Sequence, residues 1–241
     1  MNGIQEYISR DMIKWFRSPV SVVSMLAMPA AWLVFVGLAL PVTFTGNYLD
    51  FIVPGILVMT MLSSSLNGGT LLMFDKILGF LNKFLALPTP RESILLGKIL
   101  FITIRGAIQA TIILVIAIFI GATILPPAQY GMIYLILLLF GFLMSACATT
   151  IALHLGDHDS YAAFNTMISM PLFFTSSALM PYDVMPAWLR TIAHANPLSY
   201  AIDAVRAAGT GTVPVLQIGL LAVLGGIVIA ICMQMFRRVT V

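Results

Sequence analysis

The sequence has little charge. Only 9% of its 241 residues are Asp, Glu, Lys or Arg, against 60% that are hydrophobic. A water-soluble domain covers its surface with roughly a quarter charged residues, so this composition excludes one. Cysteine is scarce too: Cys147 and Cys232 both fall inside apolar runs, which excludes a disulfide framework and leaves two packing residues. Ten-residue segments of alternating polarity are missing, so a membrane β-barrel is excluded. There is no glycine-rich phosphate loop either. "LGKIL" (96–100) lacks the leading glycine and the hydroxyl that such a loop needs, so ATP hydrolysis by that chemistry is excluded. The net charge of +3 is no nucleic-acid signal; its distribution along the chain carries the information.

What the chain has instead is long apolar runs, with a mean hydropathy of +1.03. Six of them approach the roughly 20 residues that a helix needs to cross hydrocarbon. They lie near 19–41, 50–72, 104–125, 130–153, 162–180 and 213–236. The fold class is therefore an all-α membrane protein of six transmembrane helices, a single domain over 1–241. The first run is preceded by a long charged segment and followed by no convincing small-residue cleavage site, so it reads as a retained span.

Arg10, Lys14, Arg17, Lys76, Lys83, Arg91, Lys98, Arg105, Arg237 and Arg238 fall on one side of this topology, and only Arg190 and Arg206 on the other. By the positive-inside rule both termini and the 73–104 loop are cytoplasmic, and 181–212 is outside. Within 1–18, Ile4, Ile8, Met12 and Trp15 share one helical face, and Glu6, Arg10, Lys14 and Arg17 the opposite one. That pattern predicts an interfacial amphipathic helix, turned into the bilayer at Pro19.

The cytoplasmic stretch "FDKILGFLNKFLALPTPRESILLGK" (74–98) is no polar linker. Ile77, Leu81, Phe84 and Leu85 form an apolar stripe, while Asp75, Lys76, Asn82 and Lys83 lie elsewhere on the helix. Pro88 ends it, and "TPRE" restarts a helix with Thr89 as cap, Pro90 at the first position and Glu92 as the capping acid. The stripe either lies on the bilayer surface or docks onto a cytoplasmic partner. On the other side, 181–212 predicts a helical hairpin. Pro186 starts one helix through Trp188. Asn196 caps the next, with Pro197 at its first position, and Tyr200, Asp203 and Arg206 recur on it at three-residue spacing. Asp203 and Arg206 can pair along the helix, and Trp188 and Tyr200 suit a headgroup belt.

The outer segment resembles the signature of the type-two ATP-binding-cassette permeases, the daunorubicin-resistance-like exporters. It is carried by Pro171, Leu172, Phe173 and Phe174, then by Pro186, Trp188, Leu189 and Arg190, and finally by Asn196, Pro197, Leu198, Tyr200, Asp203 and Arg206. The cytoplasmic "LGFLNKFLALPTPRESILLGK" is similar to the family's coupling region. Two departures stand out: Ser176 is followed by Ser177 rather than by the usual glycine, and 75–80 reads "DKILGF" where a Glu-Gly-Thr run is common.

The resemblance implies a permease in the inner (plasma) membrane that exports an apolar or amphipathic cargo, drug-like or lipid. It also implies a second permease chain, a homodimer, and two copies of an ABC ATPase subunit carrying ATP and Mg. This chain itself would bind no cofactor and be no enzyme. The 74–92 elbow would couple to the ATPase through Asp75, Lys76, Phe80, Lys83, Phe84, Pro88, Pro90 and Arg91. The path would run between protomers along the first, second and fifth spans, with Phe35, Phe51, Met59, Ser63, Asn67, Phe173 and Phe174 as candidate lining. Plain helix packing is the competing reading of those residues. An expected absence of buried charge favours an apolar or amphipathic cargo over a small ion. A polysaccharide or lipid-linked glycan exporter of the same superfamily is the alternative, ahead of a lipid enzyme or a channel subunit. "HLGDHDS" (154–160) places His154 and His158 at i,i+4, yet it reads as a solvated turn with no metal.

Overall fold

The computed structural model describes residues 2–37, 48–80 and 91–237. Among the described residues the structure is helical throughout. In chain order the helices are α1 (Asn2–Phe16), α2 (Pro19–Ala31), α3 (Tyr48–Ile77), α4 (Arg91–Ile120), α5 (Pro127–His154), α6 (His158–Phe174), α7 (Ala187–Ala195), α8 (Pro197–Gly209) and α9 (Val215–Arg237). A π-helical turn, Trp32–Val36, continues α2, and a 3-10 turn, Tyr182–Val184, precedes α7. Prolines open α2, α5 and α8, where a missing N–H breaks no helical bond. Gly79 closes α3 in a left-handed turn (φ +71°) that a side chain would strain.

Five helical segments are long and apolar enough to cross a membrane: Pro19–Val36, Tyr48–Ile77, Glu92–Ile120, Pro127–His154 and Val215–Phe236. The third differs from its sequence expectation. It starts not at 104 but with α4 at Arg91, so Lys98 lies within a helix rather than in a loop. The run near 162–180 is α6, whose 17 residues rise about 25 Å, a little less than the ~30 Å of hydrocarbon. It stops because the chain turns at 175–177, where the Ser177 amide donates to the Ser199 hydroxyl of α8 (3.1 Å).

α3 is the centre of the bundle: 72% of its apolar window is buried, against 11% for the first span and 17% for the last. It packs on α4 and α5, and α5 in turn on α9. The close approaches use small residues. A Cβ at Gly69 would overlap the Tyr161 hydroxyl, which donates to the Leu66 carbonyl (2.7 Å) and so ties α6 to α3. Ser65 donates to the Gly141 carbonyl (3.4 Å) and accepts from Ser145 (3.1 Å), joining α3 to α5. Burying hydroxyls without partners would cost free energy; here they bond across helices.

α1 is more than a helix lying on a surface. Tyr7, Asp11 and Trp15 are buried against α4, and Trp15 packs with Phe101 and Ile102. Ile13 and Phe16 are the apolar residues it leaves exposed. α8 packs one face into the bundle, with Leu198, Ala201, Ile202 and Val205 buried against α3 and α5, and leaves Tyr200 exposed on the other.

Candidate functional site

Basic side chains sort to two ends of the bundle. Lys14, Lys76 and Lys98 gather where α1, α3, α4 and α5 meet, and Arg190 and Arg206 lie at the opposite end with the α7–α8 hairpin. We call these the basic end and the far end.

At the far end the sequence signature forms a latch. The Asn196 side chain accepts from the Leu198 amide (2.9 Å), capping α8, and its Nδ2 donates to the Leu172 carbonyl (2.7 Å) and the Thr175 hydroxyl (3.0 Å). One residue therefore caps a helix and also ties it to the end of α6. Asp203 accepts from Ser177 Oγ (2.8 Å) and from the Tyr182 hydroxyl (2.6 Å), and pairs with Arg206 at 3.6 Å. Burial, and then that bond to Asp203, push the Tyr182 hydroxyl up to about 12, so it keeps its proton and its donor role. Arg206 donates to the carbonyls of Ser177 (2.6 Å) and Phe51 (3.2 Å) and lies over the Phe51 ring, 3.9 Å from its centre. Ser177, where the resembled signature usually has glycine, is thus a working part of the latch. Trp188 and Tyr200 are exposed.

A second tie at the far end escaped the sequence reading. Asp50 at the start of α3 accepts from the Thr123 amide (2.8 Å) and hydroxyl (2.6 Å), holding the α4–α5 turn. Beside it a cavity of about 450 Å³ opens between Phe51, Leu57, Tyr130 and Arg206.

The basic end was hardly legible. Lys98 is buried and pairs with Asp11 of α1 (3.0 Å) and with Asp75 of α3, so three helices meet on one ammonium group. Arg10 also holds Asp11, at 2.6 Å. Deeper in α4, Arg105 is 1% exposed and donates to the Ser64 carbonyl (2.6 Å) and hydroxyl (3.3 Å). The expectation that the spans hold no buried charge is therefore corrected: Arg105 lies inside a span, where ionisable residues are expensive and rare.

Of the residues expected to couple to an ATPase, Asp75 turns inward to Lys98, and Lys76 donates to the carbonyls of Leu153 and Leu155 (2.8 and 2.9 Å) at the end of α5. Phe80 is 41% exposed, beside Phe74, Ile77 and Leu78, which are also exposed. Lys83, Phe84, Pro88 and Pro90 lie outside the described residues; Arg91 begins α4.

The candidate path residues divide. Met59, Ser63 and Asn67 form a half-buried stripe along α3, the Asn67 amide donating to the Ser63 carbonyl (2.8 Å). Phe173 and Phe174 cluster with Trp32 at 5.5 and 6.1 Å between ring centres, joining α6 to α2. Phe35 stands apart and is exposed, and Phe51 belongs to the latch. In the 154–160 run, Asp157 caps α6 by accepting from the Ser160 amide (2.8 Å), which holds its carboxyl below the usual range. His158 stacks near Phe74, and the ring of His154 bonds the Thr150 carbonyl (2.9 Å). Among the described residues no three His, Cys, Asp or Glu side chains converge as metal ligands would.

Comparison with known proteins bears on the whole of this arrangement. Residues 2–209 match the family model described as ABC-2 type transporter. The chain is 35% identical over 209 residues to ycf38 of Cyanophora paradoxa, provisionally named a transport permease, covering 83% of this chain and 71% of that one. Its counterpart in Porphyra purpurea is 33% identical over 210 residues, 84% and 72% of the two chains. The daunorubicin resistance ABC transporter permease protein DrrB1 of Streptomyces coeruleorubidus is 26% identical over 244 residues, 96% and 85%.

Proposed function

The chain belongs to the ABC-2 type transporter family, and from that premise we propose that it is the permease subunit of an ATP-driven exporter. Its ATPase is a separate chain, present in two copies that carry ATP and Mg. Two permease chains, a homodimer, enclose the path. The protein sits in the inner (plasma) membrane with the basic end and both termini in the cytoplasm. The cargo is amphipathic, drug-like or lipid, a reading supported by the resistance permease among its relatives and by the mixed, half-buried stripe of Met59, Ser63 and Asn67 along α3.

The observation that carries the reading is the basic end of α3. Phe74, Ile77, Leu78 and Phe80 are exposed there together, on a helix end that Lys98 and Lys76 anchor to α4 and α5. Large apolar side chains on a rigid support suit a protein interface, because binding energy concentrates in a few buried anchors. Movement at the ATPase would pass through Asp75–Lys98 into α4, favouring one of two arrangements of the bundle.

The test is co-purification of the permease with its ATPase, joined to ATP-driven uptake of a fluorescent amphipathic cation into inside-out vesicles. Phe80→Asp buries a carboxylate in the contact. It is expected to lower ATP-driven uptake at least tenfold, about 1.4 kcal/mol of coupling, with the permease still folded. Full assembly and full uptake in the variant would remove α3 as the docking element. Uptake by the permease alone, independent of ATP, would make the chain a channel.

A further inference from the structure

A cavity of about 280 Å³ lies at the basic end between α1, α2, α3 and α4, and its walls are rich in hydrogen-bond donors. Lys14, Trp15, Ser18, Ser21, Lys98 and Arg105 all line it. The two acids there, Asp11 and Asp75, are both engaged by Lys98. Arg105 is left without a carboxylate in ion-pair range among the described residues. Its guanidinium uses Nε and Nη2 on Ser64, so the Nη1 edge of this planar five-donor group remains for another acceptor.

An independent feature points the same way. Trp15 is 6% exposed, and its buried indole N–H has no acceptor among the described residues. A buried donor left unmade costs on the order of 1–3 kcal/mol, so the Trp15 N–H calls for an acceptor. An unmatched cation and an orphaned donor on one cavity call for an anion that accepts several hydrogen bonds. The place says which kind. Val20 and Val23, on the first turns of α2 beside Ser18 and Ser21, are 79% and 66% exposed, as lipid-facing residues are. The cavity thus lies at the seam between a lipid-facing helix and the core, with apolar wall supplied by Leu71 and Phe101.

We propose that this cavity binds the phosphate-type oxyanion of an anionic lipid or lipid-like amphiphile from the leaflet at the basic end, with Arg105 and the Trp15 N–H as its ligands. Lys14 supplies further positive charge at the wall. The acyl chains extend past α2 into the bilayer. Because the headgroup bridges α1 and α4, its binding stabilises the same junction that Lys98 holds to Asp11. The proposal does not depend on the transport reading and is tested without ATP or an ATPase.

The purified chain is titrated with phosphatidylglycerol, with phosphatidylcholine and with inorganic phosphate, and adducts are counted by native mass spectrometry. One phosphatidylglycerol per chain is expected, bound at least tenfold more tightly than phosphatidylcholine. Arg105→Gln removes the charge and is expected to weaken phosphatidylglycerol about tenfold, as loss of a charge-assisted pair does. Trp15→Phe deletes little more than the N–H and should weaken it about fivefold, and it keeps the test decisive if Arg105→Gln fails to fold. Equal binding of the two lipids, or phosphatidylglycerol binding unchanged in Trp15→Phe, would overturn the site. Displacement of the lipid by excess inorganic phosphate would assign it to a free oxyanion and overturn the lipid assignment.

Discussion

The two ends of the bundle solve one problem, how to hold charge near hydrocarbon, in opposite ways. At the far end the acid and the base are neighbours on one helix: Asp203 and Arg206 pair at 3.6 Å, and their remaining bonds reach the nearby Ser177, Tyr182 and Phe51. At the basic end the partners come from different helices: Lys98 draws Asp11 from α1 and Asp75 from α3, and Arg105 bonds the hydroxyl and carbonyl of Ser64. The first arrangement is complete within itself and fixes a hairpin. The second is shared among helices and leaves an arginine and an indole N–H with spare donors beside a cavity. A closed cluster fits a static role, and an open one on the helix joints fits the place where partners act.

The sharpest way to break this comparison is Lys98→Met. It leaves Asp75 without its cation and Asp11 with Arg10 alone, and breaking a largely buried pair in this way costs about 4 kcal/mol. A large drop in the unfolding temperature of the detergent-solubilised chain is expected, with recovery when Asp11→Asn and Asp75→Asn are added. Recovery is the informative part, since it separates lost pairing from lost packing. A smaller loss, about 3 kcal/mol, is expected for Arg206→Ala, which frees Asp203 and two carbonyls but leaves Ser177 and Tyr182 still bonded to the carboxylate. It should expose the α7–α8 hairpin to protease while leaving lipid binding at the basic end unchanged. Least of the three is Asn196→Ala, at about 2 kcal/mol. The cap alone is worth about 1, and the bonds to Leu172 and Thr175 add the rest. Serine at the same position keeps an acceptor for the Leu198 amide and should recover the capping share only.

The contrast also explains what could be read from the sequence. Asn196–Pro197 announces a helix start, and Asp203 and Arg206 announce a pair, because both are local patterns on a single helix. The five long apolar helices followed from run length. The start of α4 did not: Arg91, Glu92 and Lys98 interrupt its hydropathy, and a count that reads charge as loop places the helix too late. Their partners are invisible in one dimension, since Arg105 and Ser64 lie 41 positions apart. Asp11 was passed over because the faces of α1 were sorted by hydrophobicity, whereas burial there follows the ion pair. The resemblance implied a coupling role for Asp75 and Lys76, whereas both side chains turn inward to anchor α3.

The central claim is that ATP acts on the basic end while the far-end latch stays fixed. Hydrogen exchange on the permease–ATPase complex, with and without a non-hydrolysable ATP analogue, tests it in one measurement. Peptides covering Phe74–Phe80 and Arg91–Arg105 are predicted to change protection several-fold, and those covering Asn196–Gly209 to stay the same. Altered protection confined to Asn196–Gly209, with the α3 and α4 peptides unmoved, would contradict the account.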